Sequence, residues 1–124
     1  MVRILVIDDE DLVRDTISRI LRTGGHEVAE ASDGRKGLAL FSKNPADLVI
    51  TDILMPEMEG IQTIGEFRKI APRVKIIAIS GGGRVGNKDY LTLARELGAD
   101  AILSKPFRAR ELLAAVDSVI GTAQ

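Results

Sequence analysis

Ile4-Leu5-Val6-Ile7 is apolar without a break, and Leu48-Val49-Ile50 repeats the pattern. Each run is too brief for a helix and is bounded by polar residues, so each reads as a strand. A strand apolar at consecutive positions is apolar on both faces, and both faces need covering. That requirement selects a sheet sandwiched between helices. The second run closes on Thr51-Asp52, with Pro56 four residues later. In an open parallel sheet ligands bind at the carboxyl ends of the strands, which puts Asp52 at the mouth of a site.

The rest of the chain supplies the missing layers. Leu12, Val13, Ile17, Ile20 and Leu21 recur at helical spacing until Gly24-Gly25, a double stop signal. Glu27 to Ala31 alternates as a second strand. Ser32-Asp33-Gly34 caps a helix carrying Leu38, Ala39 and Phe41, which ends before Asn44-Pro45. Met58-Glu59-Gly60 leads into a helix with Ile61, Ile64, Phe67 and Ile70, and Lys75 to Ser80 is strand four. Gly81 to Gly86 is expected to be a flexible loop, and Asn87 to cap a helix running to Leu97. Strand five is Ala101 to Ser104, Lys105-Pro106-Phe107 makes a turn, and Glu111 to Ile120 is a last amphipathic helix. Five strands alternating with five helices through short loops imply an α/β fold: a doubly wound, five-stranded parallel sheet with right-handed crossovers.

At 124 residues the chain fits one domain, 1–124. A net charge of -1 gives no electrostatic footprint for nucleic acid, and no apolar run approaches the length of a membrane span. Without cysteine there is no disulfide framework and no thiolate metal site. The default expectation is a soluble cytoplasmic protein.

In a sheet of order 2-1-3-4-5, strands one, three, four and five end side by side. They deliver Asp8 and Asp9, Asp52, Ser80 and Lys105 to one cleft. Three carboxylates and one ammonium leave an excess of negative charge. Each like-charge pair about 4 Å apart costs about 4 kcal/mol at an effective dielectric near 20. The cluster must therefore take up protons or bind a cation. Oxygen ligands with no His or Cys suit a hard ion, Mg²⁺ above all. Mg²⁺ with Lys105 would ready the cleft for an anionic phosphoryl group, and Asp52 could then attack phosphorus as a carboxylate nucleophile.

These residues resemble the receiver domains of two-component response regulators. Asp8-Asp9, the stretch Asp52 to Gly60, Ser80-Gly81 and Lys105-Pro106-Phe107 match in order and spacing across essentially the whole chain. The resemblance implies a flavodoxin-like (βα)5 fold with Asp52 as phosphoacceptor, phosphorylated by a histidine kinase or histidine phosphotransfer protein. It implies Asp9 as a direct Mg²⁺ ligand, Asp8 as one acting mainly through water, and the Leu54 carbonyl as another. Lys105 would contact a phosphoryl oxygen, and the Ser80 hydroxyl would move to bond the phosphoryl group. A cis peptide would precede Pro106. A downstream protein target would dock on strand five and its flanking helices. The position three before Lys105, often an aromatic switch residue in the family, is Ile102 here.

Two other readings stand beside this one. The fold could serve as a phosphorylation-independent interaction module, for which Ile102 leaves room. Gly81-x-Gly83-x-x-Gly86 matches a dinucleotide-binding pattern, but it follows strand four rather than the first βα turn. His26, the only histidine, is expected to be solvated. No output domain follows the last helix in this chain, so output is expected to pass through a partner or through onward phosphate relay.

Overall fold

The computed structural model describes residues 2–53, 60–80, 84–85, 88–89, 92, 95–96 and 98–121. Strands β1 (Arg3–Ile7), β2 (Glu27–Ala31), β3 (Leu48–Asp52), β4 (Lys75–Ser80) and β5 (Ala101–Ser104) form one sheet. Its order is β2-β1-β3-β4-β5, parallel throughout. Helices α1 (Asp11–Thr23), α2 (Gly34–Lys43), α3 (Gly60–Ile70) and α4 (Ala109–Gly121) cover it.

The pleat explains the unbroken apolar runs. Leu5, Ile7, Val49, Ile76 and Ala78 face one core with Phe41 of α2 and Ile64 and Phe67 of α3. Their alternates Ile4, Val6, Leu48, Ile50, Ile77 and Ile79 face the other, with Ile17 and Leu21 of α1 and Leu112 and Val116 of α4. With few aromatics, branched aliphatic side chains fill both layers. Phe41 and Phe67 meet edge to face with centroids 5.2 Å apart, a geometry the ring quadrupoles favour.

Local chemistry fixes the ends of the elements. The Asp33 carboxylate caps α2 by accepting the Lys36 N–H at 2.8 Å. Glu111 reaches back to the Arg108 N–H at 2.6 Å and starts α4. After α1, Gly25 takes φ of +89°, a left-handed turn that glycine makes without strain. Arg68 of α3 ties three segments together. Its guanidinium donates to the carbonyls of Pro72, Val74 and Gly98 and to the Asp100 carboxylate.

Three expectations are revised. Lys88–Asp89 is extended and pairs antiparallel with Arg84–Val85, so no helix starts at Asn87 and the glycine segment includes strand. Gly86-Asn87 between the pairs is a two-residue connection of hairpin composition. Thr92, Arg95 and Glu96 are helical, while Asn87, Leu91 and Leu97 lie outside the described residues. Second, Leu12 is 78% exposed rather than part of the core stripe. It sits in the first turn of α1, on the rim of a groove of about 360 Å³ that Val13, Ile20, Pro106 and Phe107 also line. Third, His26 is half-buried, and its Nδ1 accepts the Val2 N–H at 3.3 Å.

Candidate functional site

Because every strand of the sheet runs the same way, the carboxyl ends of β1, β3, β4 and β5 share one rim. Asp8, just past β1, is 1% exposed. Its N–H donates to the Ala31 carbonyl of β2 at 3.2 Å. One of its carboxylate oxygens, Oδ1, accepts the Glu10 N–H at 2.9 Å. The other, Oδ2, is buried and finds no hydrogen-bond partner among the described residues. Asp52 ends β3 and is 5% exposed. Ser80 ends β4, and its carbonyl accepts the Lys105 N–H at 2.7 Å. That bond fixes the residue after β5 against the end of β4, and the Lys105–Pro106 peptide is cis, as the resemblance implies.

Lys105 is the cation of the cleft. Its Nζ donates to Asp52 Oδ2 at 2.8 Å and lies 3.9 Å from Asp8 Oδ2 and 4.0 Å from Glu10 Oε1. Burial pulls the ammonium down, but the hydrogen bond it donates to Asp52 and the charges of Asp52, Asp8 and Glu10 outweigh it, so its pKa is raised. It therefore stays charged at neutral pH. Burial raises Asp8 from its ordinary value of 3.8 to about 6. The Glu10 N–H and Lys105 oppose that rise, and Asp52 and Asp9 add to it. One ammonium does not satisfy this many carboxylates.

Of the residues expected at the site, Asp8, Asp52, Ser80 and Lys105 reach the same rim. Asp9 is exposed. Leu54 lies outside the described residues. Glu10 was not anticipated, yet carboxylate oxygens of Asp8, Glu10 and Asp52 all lie within 4.8 Å of one another. The signal was present in the acidic run after β1. Glu10 caps α1 with extended backbone, φ -93° and ψ 114°.

The donor set fits a hard divalent cation: oxygen ligands only, excess negative charge, and a buried carboxylate oxygen without a hydrogen-bond partner among the described residues. Mg²⁺ held there would add positive charge beside Asp52 and Lys105, where an incoming phosphoryl group carries its negative oxygens. Asp8, Glu10 and Asp52 are the described residues positioned to hold it.

No helix among the described residues is long and apolar enough to cross a membrane. Residues 4–117 match the response regulator receiver domain family. The chain is 36% identical over 118 residues to chemotaxis protein CheY of Thermotoga maritima, covering 94% of this chain and 96% of that protein. It is also 36% identical over 121 residues to the transcriptional regulatory protein PdtaR of Mycobacterium tuberculosis, covering 95% of this chain but 56% of the relative. It spans about half the length of the mycobacterial regulators it matches. A crystal structure of a response regulator receiver domain protein from Clostridium thermocellum superposes with a TM-score of 0.90, at 36% identity over 99% of this chain and 97% of that one. Receiver domains of this kind are signalling phosphoacceptors that bind Mg²⁺ at an acidic pocket and interact with histidine kinases and downstream effectors. The chain belongs to the receiver domain family of response regulators.

Proposed function

We propose that Asp52 is the phosphoacceptor of this chain and that it takes its phosphoryl group from a phosphohistidine on a partner kinase or phosphotransfer protein. The observation carrying this reading is the 2.8 Å contact between Lys105 Nζ and Asp52 Oδ2 inside a cleft that is still short of positive charge. A carboxylate oxygen of Asp52 attacks phosphorus, the P–N bond of the donor breaks, and its electron pair returns to the imidazole, which takes up a proton. Lys105 hydrogen-bonds Asp52 and stays within reach of the phosphoryl oxygens, where its charge offsets theirs. Asp8, Asp9, Asp52 and the Leu54 carbonyl are the proposed Mg²⁺ ligands, with Glu10 beside them. The Ser80 hydroxyl bonds the transferred group and draws the segment after β4 toward it.

The phosphorylated domain then controls a downstream protein through β5 and its flanking helices, or relays the phosphate onward. Its site of action is the cytoplasm, and residues 1–124 act as one receiver domain. Ile102 is half-buried against the α3-side core and takes the place of the swinging aromatic ring common in the family.

Intact mass after incubation with acetyl phosphate and Mg²⁺ tests the reading. One added phosphoryl group, absent in Asp52→Asn and absent with EDTA, is the expected result. A folded, Mg²⁺-binding protein that takes no phosphate from acetyl phosphate or from a phosphohistidine donor would instead be a phosphorylation-independent interaction module.

A further inference from the structure

Arg14 makes no contact with the carboxylates grouped around Asp52, yet it grips the backbone that carries them. It lies in the second turn of α1 with its side chain 16% exposed. Nη1 donates to the Asp8 carbonyl at 2.6 Å, and Nη2 to Asp11 Oδ1 at 2.6 Å. Nε faces Glu30 Oε1 of β2 at 3.5 Å. One planar fork thus spans the end of β1, the start of α1 and the neighbouring strand. Asp8 is consequently held at both ends of its backbone, by Ala31 at its N–H and by Arg14 at its carbonyl. With Oδ1 engaged by the Glu10 N–H, the side-chain orientation is set and Oδ2 is left toward the cleft.

We infer that Arg14 is a positioning residue for the divalent-cation site, holding the Asp8–Glu10 loop in the geometry that lets its carboxylates meet Asp52. The inference rests on the proposed Mg²⁺-dependent receiver chemistry. Three acceptors in different directions need a rigid, multi-donor cation, which a lysine ammonium does not replace. Partners that orient ligands from behind are worth large factors in metal affinity.

Charge and geometry predict opposite signs here, which makes the inference testable. Removing a cation near an acidic cleft would by itself tighten Mg²⁺ binding. Releasing the loop would weaken it. Arg14→Lys keeps the charge and loses the fork, and so isolates geometry.

The experiment is calorimetric titration of Mg²⁺ into wild type, Arg14→Lys, Arg14→Ala and Glu30→Gln at fixed ionic strength. Folding is checked by circular dichroism, and phosphoryl uptake from acetyl phosphate is followed over a range of Mg²⁺ concentrations. Arg14→Lys is expected to raise the Mg²⁺ Kd about 5-fold and Arg14→Ala by less, because its lost charge partly offsets the lost fork; both stay below the 10- to 100-fold typical of direct ligand partners because Arg14 acts through the backbone. Glu30→Gln, which removes one anchor of the guanidinium, is expected to raise it about 2-fold and serves if both Arg14 variants fail to fold. At saturating Mg²⁺ the uptake rate of the folded variants returns to within about 2-fold of wild type, because the loop affects metal occupancy rather than the nucleophile. A folded Arg14→Lys protein with the wild-type Kd or a lower one, or a folded Glu30→Gln protein with it where no Arg14 variant folds, would overturn the inference alone. A wild type that does not bind Mg²⁺ would overturn the proposed function as well.

Discussion

Lys105 Nζ sits 2.8 Å from Asp52 Oδ2 although Asp52 ends β3 and Lys105 follows β5, with β4 between them. The lysine reaches over the end of β4, anchored by its own N–H on the Ser80 carbonyl. In the resting cleft it is the counter-ion of the residue proposed to react. Lys105→Met therefore has two expected effects of opposite sense. Mg²⁺ binds more tightly, because a competing cation is gone. Phosphoryl uptake from acetyl phosphate slows about 10- to 100-fold at saturating Mg²⁺, because a charge aimed at the phosphoryl oxygens is lost. Titration and time-resolved intact mass read the two separately.

Asp8 gives the metal-free protein a pH dependence of definite sign. Burial raises its pKa in the folded state from 3.8 to about 6, so the native protein holds a proton that the unfolded chain has released. Its contribution is complete below about pH 4 and is lost as pH rises through 6, a change of about 3 kcal/mol. Urea unfolding of wild type and Asp8→Asn at pH 5 and 7 isolates this residue. The variant is expected to gain relative stability at pH 7 and about half as much at pH 5. Mg²⁺ needs the ionised carboxylate, so wild-type affinity for the metal should climb over the same interval.

Gly60 opens α3 directly against the strand that carries Asp52. A Cβ there would run into the Asp52 carbonyl oxygen and the Ile53 Cα, backbone atoms that cannot swing aside. Gly60→Ala is expected to cost about 2–3 kcal/mol in urea unfolding. It should also weaken Mg²⁺ binding, since the clash is relieved only by moving the end of β3. An alanine variant with wild-type stability would mean that the α3 start can shift independently of Asp52.

Ser18 offers a control remote from the cleft. Its hydroxyl is fully buried in α1 and finds no hydrogen-bond partner among the described residues. Ser18→Ala removes a desolvated polar group and improves helix propensity. The expected outcome is a gain of about 1 kcal/mol in urea unfolding with no change in Mg²⁺ affinity.

Three strands were legible because burial on both faces writes a clear pattern: Arg3–Ile7, Leu48–Asp52 and Lys75–Ser80 begin and end where apolar runs and polar boundaries put them, and the half-buried edge strand Ala101–Ser104 keeps the same apolar run. Asp8, Asp52 and Lys105 were legible as a set because parallel order puts strand ends together whatever the loops do. Leu12 was misread because helical spacing records which face a residue occupies and not how far along the helix its neighbours extend. Lys88–Asp89 was misread because a two-residue ribbon carries almost no periodicity, and its one cue, Gly86-Asn87, was split between a glycine loop and a helix cap. Glu10 was overlooked because the strand ends singled out Asp8-Asp9, whereas the fold brings the carboxylate of the α1 cap residue within 4.8 Å of those of Asp8 and Asp52.

The cleft also bears on how the protein comes into being. Asp8 and Asp52 are carried by strands that pair early in the chain order, through β1 and β3, whereas their ammonium arrives 53 residues after Asp52. A chain emerging from the ribosome would hold converging acids with nothing to offset them until β5 docks on β4. The pocket is thus a record of completed assembly. An unfinished or truncated copy that had formed only the first strands would lack the lysine, and with it the means to compete with full-length receivers for the phosphoryl donor.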